Sequence, residues 1–250
     1  RGVGKSSGDW KKSTIEDRAE DALAAVEAIR HLPRVINDNI GLIGLSQGGF
    51  VVPLAASMGK VQFVINFVGG SVSIKESIFH ELRGSYLQHN MNEDQITFLQ
   101  KLTTLSYVYM ETGKGWQEYL DYRIKVKETF GEMAVDSWPT SKNNWYWEFY
   151  GNISDFDPTP YWKEITENMK IPSFIAFGEL DEFDNTPVLK SVKRLKESVF
   201  SKLLKVRVYK NTGHSLMDEE KRKNGNWSLV DPLDKDLSDW IRLYVLKQNL

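Results

Sequence analysis

The stretch from Gly41 to Phe50 reads Gly-Leu-Ile-Gly-Leu-Ser-Gln-Gly-Gly-Phe and sets Ser46 between Gly44 and Gly48, at the spacing G-x-S-x-G. An apolar run precedes it and a small-residue helical pattern follows, so Ser46 falls on a sharp strand-to-helix turn. A serine held there projects its hydroxyl above the strand end, where it can attack an acyl carbon. Gly44 and Gly48 keep side chains out of the tight turn. The N–H of Gln47, in the first turn of the helix, is placed to donate to an oxyanion. A serine hydroxyl is a weak nucleophile at neutral pH and needs a base oriented by a third group. The chain has four histidines. His31 ends a helix, and His80 and His89 sit in helical patterns where surface roles are ordinary. His214 instead follows the last strand, in Asn211-Thr212-Gly213-His214-Ser215, and is the candidate base. For the acid, the strand ending at Gly178 runs directly into an acidic loop, with Asp181 just past the strand end and Glu179, Glu182 and Asp184 beside it.

Other chemistries find less support. The opening Arg1-Gly2-Val3-Gly4-Lys5-Ser6 contains Gly-Lys-Ser, the end of a phosphate-binding loop, but no helix pattern starts at the Lys-Ser. The chain carries 32 Lys and Arg against 34 Asp and Glu, a net charge of -2. That balance argues against a nucleic-acid partner, which calls for a basic face. With no cysteine there is no disulfide, thiolate metal site or cysteine nucleophile. No metal or organic cofactor is expected. The longest apolar runs fall short of a membrane span, and 250 residues at 41% hydrophobic suit a soluble globular chain with a large core.

The elements that must position these groups alternate. Ser13 with Glu16 predicts a capping box for a helix whose apolar positions run from Ile15 to Ile29. Ile40–Gly44 reads as a strand buried on both faces, followed by a helix near residues 50–57. Further strands are predicted at 61–68, 172–177 and 204–209, with a helix near 187–198 and a last amphipathic helix at 233–247. Strands separated by helices imply a mostly parallel sheet with helices on both faces. Residues 73–166 break this rhythm. Asn92 with Gln95 predicts a helix cap, Gly113 and Gly115 a break, and Trp116 the start of another helix ending near Phe130. The core is therefore expected in residues 1–72 and 167–250, with 73–166 a helical lid insertion. Its aromatic cluster offers Trp145, Trp147 and Tyr150 as candidate substrate-pocket residues, while a role in the insertion's own core is equally compatible with the pattern.

The pieces "RGVGKSSGDW", "IGLIGLSQGGFVVPLAA", "FGELDEF" and "NTGHSLM" together resemble the α/β hydrolases, in particular the esterase-like branch described as dienelactone-hydrolase-like or acyl-peptidase-like. The resemblance implies an α/β-hydrolase fold. It maps the nucleophile to Ser46, the base to His214 and the acid to Asp181, three residues after Gly178. It also makes the opening segment a glycine-bearing loop bordering the site. In that family further strands precede this loop, and a loop after the third strand supplies a second oxyanion donor. This sequence has no counterpart to them, so the chain's upstream residues or a second chain are expected to cover the edge of the first strand.

The expected activity is cleavage of carboxylic esters with a hydrophobic part, through an acyl-enzyme. A peptidase or acyl thioesterase would use the same three residues. A non-catalytic binding module of this fold would not need them activated.

Overall fold

Thr14, not Ser13, opens the first helix. The Thr14 hydroxyl accepts from the Asp17 N–H and the Asp17 carboxylate accepts from the Thr14 N–H, closing the capping box one residue later than expected. Ser13 is occupied otherwise: its hydroxyl donates to the Trp10 carbonyl and accepts from Arg18 Nε. A computed structural model describes residues 1–36, 39–225 and 227–247.

Helix α1 (Ile15–Arg30) leads to strand β1 (Leu42–Leu45), helix α2 (Gly48–Met58) and strand β2 (Val64–Phe67). After a helical insertion come β3 (Ser173–Gly178), α8 (Val188–Ser198), β4 (Leu204–Tyr209), the short α9 (Glu219–Lys223) and α10 (Asp231–Trp240). The strands form one parallel sheet in the order β1-β2-β3-β4. The pleat sends alternate side chains to opposite layers. Ile175 and Phe177 of β3 pack with Val52, Val188 and Leu195 on one face. Phe174 and Ala176 pack with Leu233 and Trp240 of α10 on the other. Both sets are buried, as expected for a central parallel strand.

Strand β1 departs from its expected two-sided burial. It pairs with β2 alone among the described residues, and it lies at the sheet edge. Its register puts Ile43 and Leu45 on the face of Ile65 and Phe67, yet α10 leaves them 62% and 63% exposed. Apolar character is thus a poor guide to burial here. The strand has the composition of an interior one and the surroundings of an edge.

The insertion between β2 and β3 comprises α3 (Ile74–Gln88), α4 (Glu93–Thr112), α5 (Trp116–Phe130), α6 (Trp145–Ile153) and α7 (Thr159–Lys163). Asn92 and Gln95 form the expected capping box, and Gly113 takes the left-handed conformation at φ 68° that ends α4. The insertion has its own core, in which Leu99, Leu102, Tyr119, Tyr122 and Trp147 are buried. Trp147 is a structural residue of that core, not a pocket residue as expected. Its ring meets Tyr109, Trp116, Tyr119 and Tyr146 edge-on, and its Nε1–H donates to the Ser141 carbonyl at 2.9 Å. Trp147→Ala should accordingly cost about 3–5 kcal/mol of stability, measured by denaturant unfolding. A loss below about 1 kcal/mol would show that the insertion does not depend on this ring.

Trp145 is likewise a correction: it lies half-exposed and packs on Trp10 and Phe149 rather than into a cavity beside Ser46. No described helix is long and apolar enough to cross a membrane.

Candidate active site

Ser46 sits at the end of β1 with φ 53°, in the left-handed region that side chains seldom adopt. Its N–H donates to the Phe67 carbonyl at 2.9 Å and its carbonyl accepts from the Gly49 N–H at 2.9 Å, which pins the strained residue on both sides. A Cβ on Gly44 would run into the backbone of Gly48, so glycine is needed there. The expectation for Gly48 needs correction, because a Cβ at that position meets nothing within 4 Å. The crowded second glycine is Gly49, one residue further on, whose Cβ would strike the Asn66 side chain and Gly69 Cα. The doubled glycine in the sequence was the available sign of it. Gln47 is the cap of α2 and its N–H, the first of that helix's unpaired donors, lies beside Ser46.

The candidate base and acid arrive on the loops after β4 and β3. His214 Nε2 lies 2.9 Å from Ser46 Oγ, and His214 Nδ1 lies 2.8 Å from Asp181 Oδ2. A carboxylate can only accept, so Nδ1 carries the proton and Nε2 is left to accept from the serine hydroxyl. Asp181 is completely buried, and its other oxygen accepts from the Asn185 N–H at 3.4 Å. The two loops are fastened together by the Leu180 N–H, which donates to the Thr212 carbonyl at 2.9 Å. Gly178 allows this approach, since a Cβ there would collide with the carbonyls of Thr212 and Gly213.

The neighbouring acids have other partners. Glu182 accepts from the Leu189 N–H at the start of α8, Glu179 accepts from the Asn211 N–H, and Asp184 accepts from the Gln88 side chain. Only Asp181 of the four touches the imidazole.

Burial alone would push the His214 pKa down. The hydrogen bond with Asp181 and the negative charges of Asp181, Asp184 and Glu81 more than offset it, so the pKa lies above the ordinary 6.5. A base must be neutral to accept a proton, so activity should fall as pH drops through that raised value. Asp184→Asn removes one raising charge and should move the acid limb of a kcat/KM profile to lower pH. A limb that stays in place or moves upward would contradict this account.

Two cavities flank Ser46. The smaller, about 200 Å³, is walled by α3 and α6 of the insertion and lined in part by Phe149, Tyr150 and Ile153. Tyr150 is thus the one aromatic of the three expected that faces this space. Phe149 and Ile153 join it because they share its side of α6. The larger, about 870 Å³, is open and includes Leu45, Leu180, Met217, Arg222 and Lys223. The insertion therefore walls one side of Ser46 and leaves the other open. Val68, also lining the smaller cavity, takes φ 55°, a costly conformation for a β-branched residue. It is held by the Ala176 carbonyl, which accepts its N–H, and by the Thr186 hydroxyl, which donates to its carbonyl.

Near the wall, Arg18 of α1 donates to the Gln47 side chain at 2.5 Å and lies over the Phe149 ring. The opening segment is a tight loop, with the Gly2 N–H donating to the Ser7 carbonyl. Its Trp10 packs edge-on against Phe149, so it supports the cavity wall from behind.

Residues 23–131, less than half the chain, match the family described as BAAT / acyl-CoA thioester hydrolase C terminal. No curated protein sequence matches the chain. Among solved structures, an esterase of Pyrococcus furiosus is similar at 16% identity and TM-score 0.50, over 98% of this chain and 68% of its own. The α/β hydrolase GrgF from Penicillium sp. sh18 is similar at 16% identity and TM-score 0.55, covering 98% and 78%. The 2,6-dihydroxy-pseudo-oxynicotine hydrolase gives 15% and 0.53, with 96% of this chain matching 50% of that one. The fold is the α/β-hydrolase fold.

Proposed function

We propose that the chain is a serine hydrolase that cleaves carboxylic esters by acyl transfer, with Ser46, His214 and Asp181 as its catalytic residues. The observation that carries this reading is the continuous contact from Asp181 through His214 to Ser46, at 2.8 and 2.9 Å, on three strand-end loops. Ser46 Oγ attacks the acyl carbon while His214 Nε2 takes its proton. Asp181 holds the imidazole in the productive tautomer and stabilises its cationic form. The Gln47 N–H donates to the carbonyl oxygen as it becomes an oxyanion. The imidazolium then protonates the leaving group, and the C–O bond to it breaks, leaving the acyl group on Ser46. Water, deprotonated by His214, attacks the acyl-enzyme and releases the acid, and the proton returns to Ser46. The apolar wall of Phe149, Tyr150 and Ile153 supports a substrate with a hydrophobic part.

A thioester substrate is a second reading, supported by the family matched over residues 23–131. The same steps apply, with a thiolate as the leaving group. A fluorophosphonate probe tests the chemistry common to both, since only an activated serine reacts. Labelling should map to Ser46. An unlabelled protein would favour a non-catalytic module of the same fold. Comparing p-nitrophenyl esters with acyl-CoA thioesters and aminoacyl amides then separates the esterase from the thioesterase and the peptidase.

A further inference from the structure

Helix α3 turns one face toward the smaller cavity. Ile74, Ser77, Ile78 and Glu81 stand at i, i+3, i+4 and i+7, and all four line it. The first three suit an uncharged wall, and Glu81 does not. Its carboxylate has no hydrogen bond or ion pair among the described residues. Glu76 on the same helix, by contrast, is bound by Lys190 and Arg194. Glu81 is an exposed residue of α3 that also lines the cavity; partial desolvation is the main influence raising its pKa, and the negative charge of Asp184 adds to it. His214, which lines the same cavity, opposes the rise. The folded chain therefore keeps a water-exposed carboxylate with no protein counter-ion, among the described residues, in the cavity beside Ser46.

What faces Glu81 narrows the chemistry. Phe50, Phe149 and Tyr150 supply aromatic rings to the wall, and one of them, Phe149, already carries a cation, the Arg18 guanidinium, over its ring. Tyr150 is close enough for the Glu81 charge to raise its own pKa, after burial, without a hydrogen bond between them. A neutral or anionic group entering here would strip more water from the carboxylate and leave it unpaired. An organic cation would meet both a counter-ion and aromatic walls, the combination that holds ammonium groups elsewhere. The open cavity on the other side of Ser46 is of mixed charge, since Arg222 and Lys223 line it together with Asp184.

We propose that the cavity walled by α3 and α6 binds an alkyl- or arylammonium group, with Glu81 as counter-ion and the Phe149 and Tyr150 rings as walls. Resting on the serine-hydrolase reading, this means that the part of the substrate lodged there carries a protonated amine. A volume of about 200 Å³ limits that part to a small group.

Benzylammonium and benzyl alcohol, which match in shape and differ in charge, test the site directly. Calorimetric titration of the whole chain should show benzylammonium binding on the order of tenfold tighter. Glu81→Gln should erase the difference and Glu81→Lys should reverse it. Equal binding of the two by the unaltered chain, or a preference that survives Glu81→Gln, overturns the proposal. Competition against p-nitrophenyl acetate separates it from the reading on which it rests. Glu81-dependent binding in a protein that neither turns over the ester nor takes a fluorophosphonate would sustain the ammonium site and sink the serine hydrolase. Ester turnover with no charge preference would do the reverse.

Discussion

Ser46→Ala is expected to lower turnover of a p-nitrophenyl ester by roughly 10⁴-fold or more, because nucleophile, base and acid act as a unit and little remains when one is removed. The loss should be chemical and not structural. Among the described residues the Ser46 hydroxyl hydrogen-bonds to His214 alone, while the backbone bonds to Phe67 and Gly49 that fix the turn do not involve the side chain. Thermal unfolding of the variant should therefore stay close to that of the parent, and fluorophosphonate labelling should vanish. Turnover within about tenfold of the parent, well inside what losing a nucleophile permits, would mean that another group performs the attack.

Asp181→Asn should cost about as much, on the order of 10⁴-fold in kcat. The substitution keeps the size of a side chain that is fully buried and leaves the Leu180 to Thr212 link between the two loops in place. An amide that donates to Nδ1 would require that nitrogen to accept, moving the imidazole proton to Nε2, where it faces Ser46 and blocks proton abstraction. Glu179→Gln and Glu182→Gln should change kcat by less than tenfold, since these residues bond to backbone N–H groups away from the imidazole. A collapse with either of them, while Asp181→Asn stayed active, would reassign the acid.

Much of this architecture was legible in the residues, and the reasons for the gaps are physical. Strand β4 and helix α5 fall where periodicity and glycine breaks put them, and Asn92 caps α4 as its spacing with Gln95 requires. Candidate site residues could be chosen because parallel strands all present their following loops at one end of the sheet, so Ser46, Asp181 and His214 needed only the right element order to meet.

The face of α6 was not legible. Trp145, Tyr146, Trp147, Phe149 and Tyr150 are aromatic all round the helix, so no polar side marks which ring meets a cavity and which meets α4 and α5. Glu81 was hidden for a related reason. Periodicity places it on the face of Ile74 and Ile78, but whether that face meets core or cavity depends on how α3 docks. The exposure of Ile43 and Leu45 is a tertiary fact, invisible in a four-residue apolar strand.

That exposure has a consequence for how activity would depend on the amount of protein in solution. The outer edge of β1, which no strand among the described residues pairs, runs up to Ser46, so any strand that joined it would end at the rim of the open cavity, where Leu45 already stands. Occupancy of the edge and the shape of the rim would then be one equilibrium. If the added strand came from a second copy, specific activity would rise with concentration and fade on dilution. If it came from the same polypeptide, specific activity would be flat across that range.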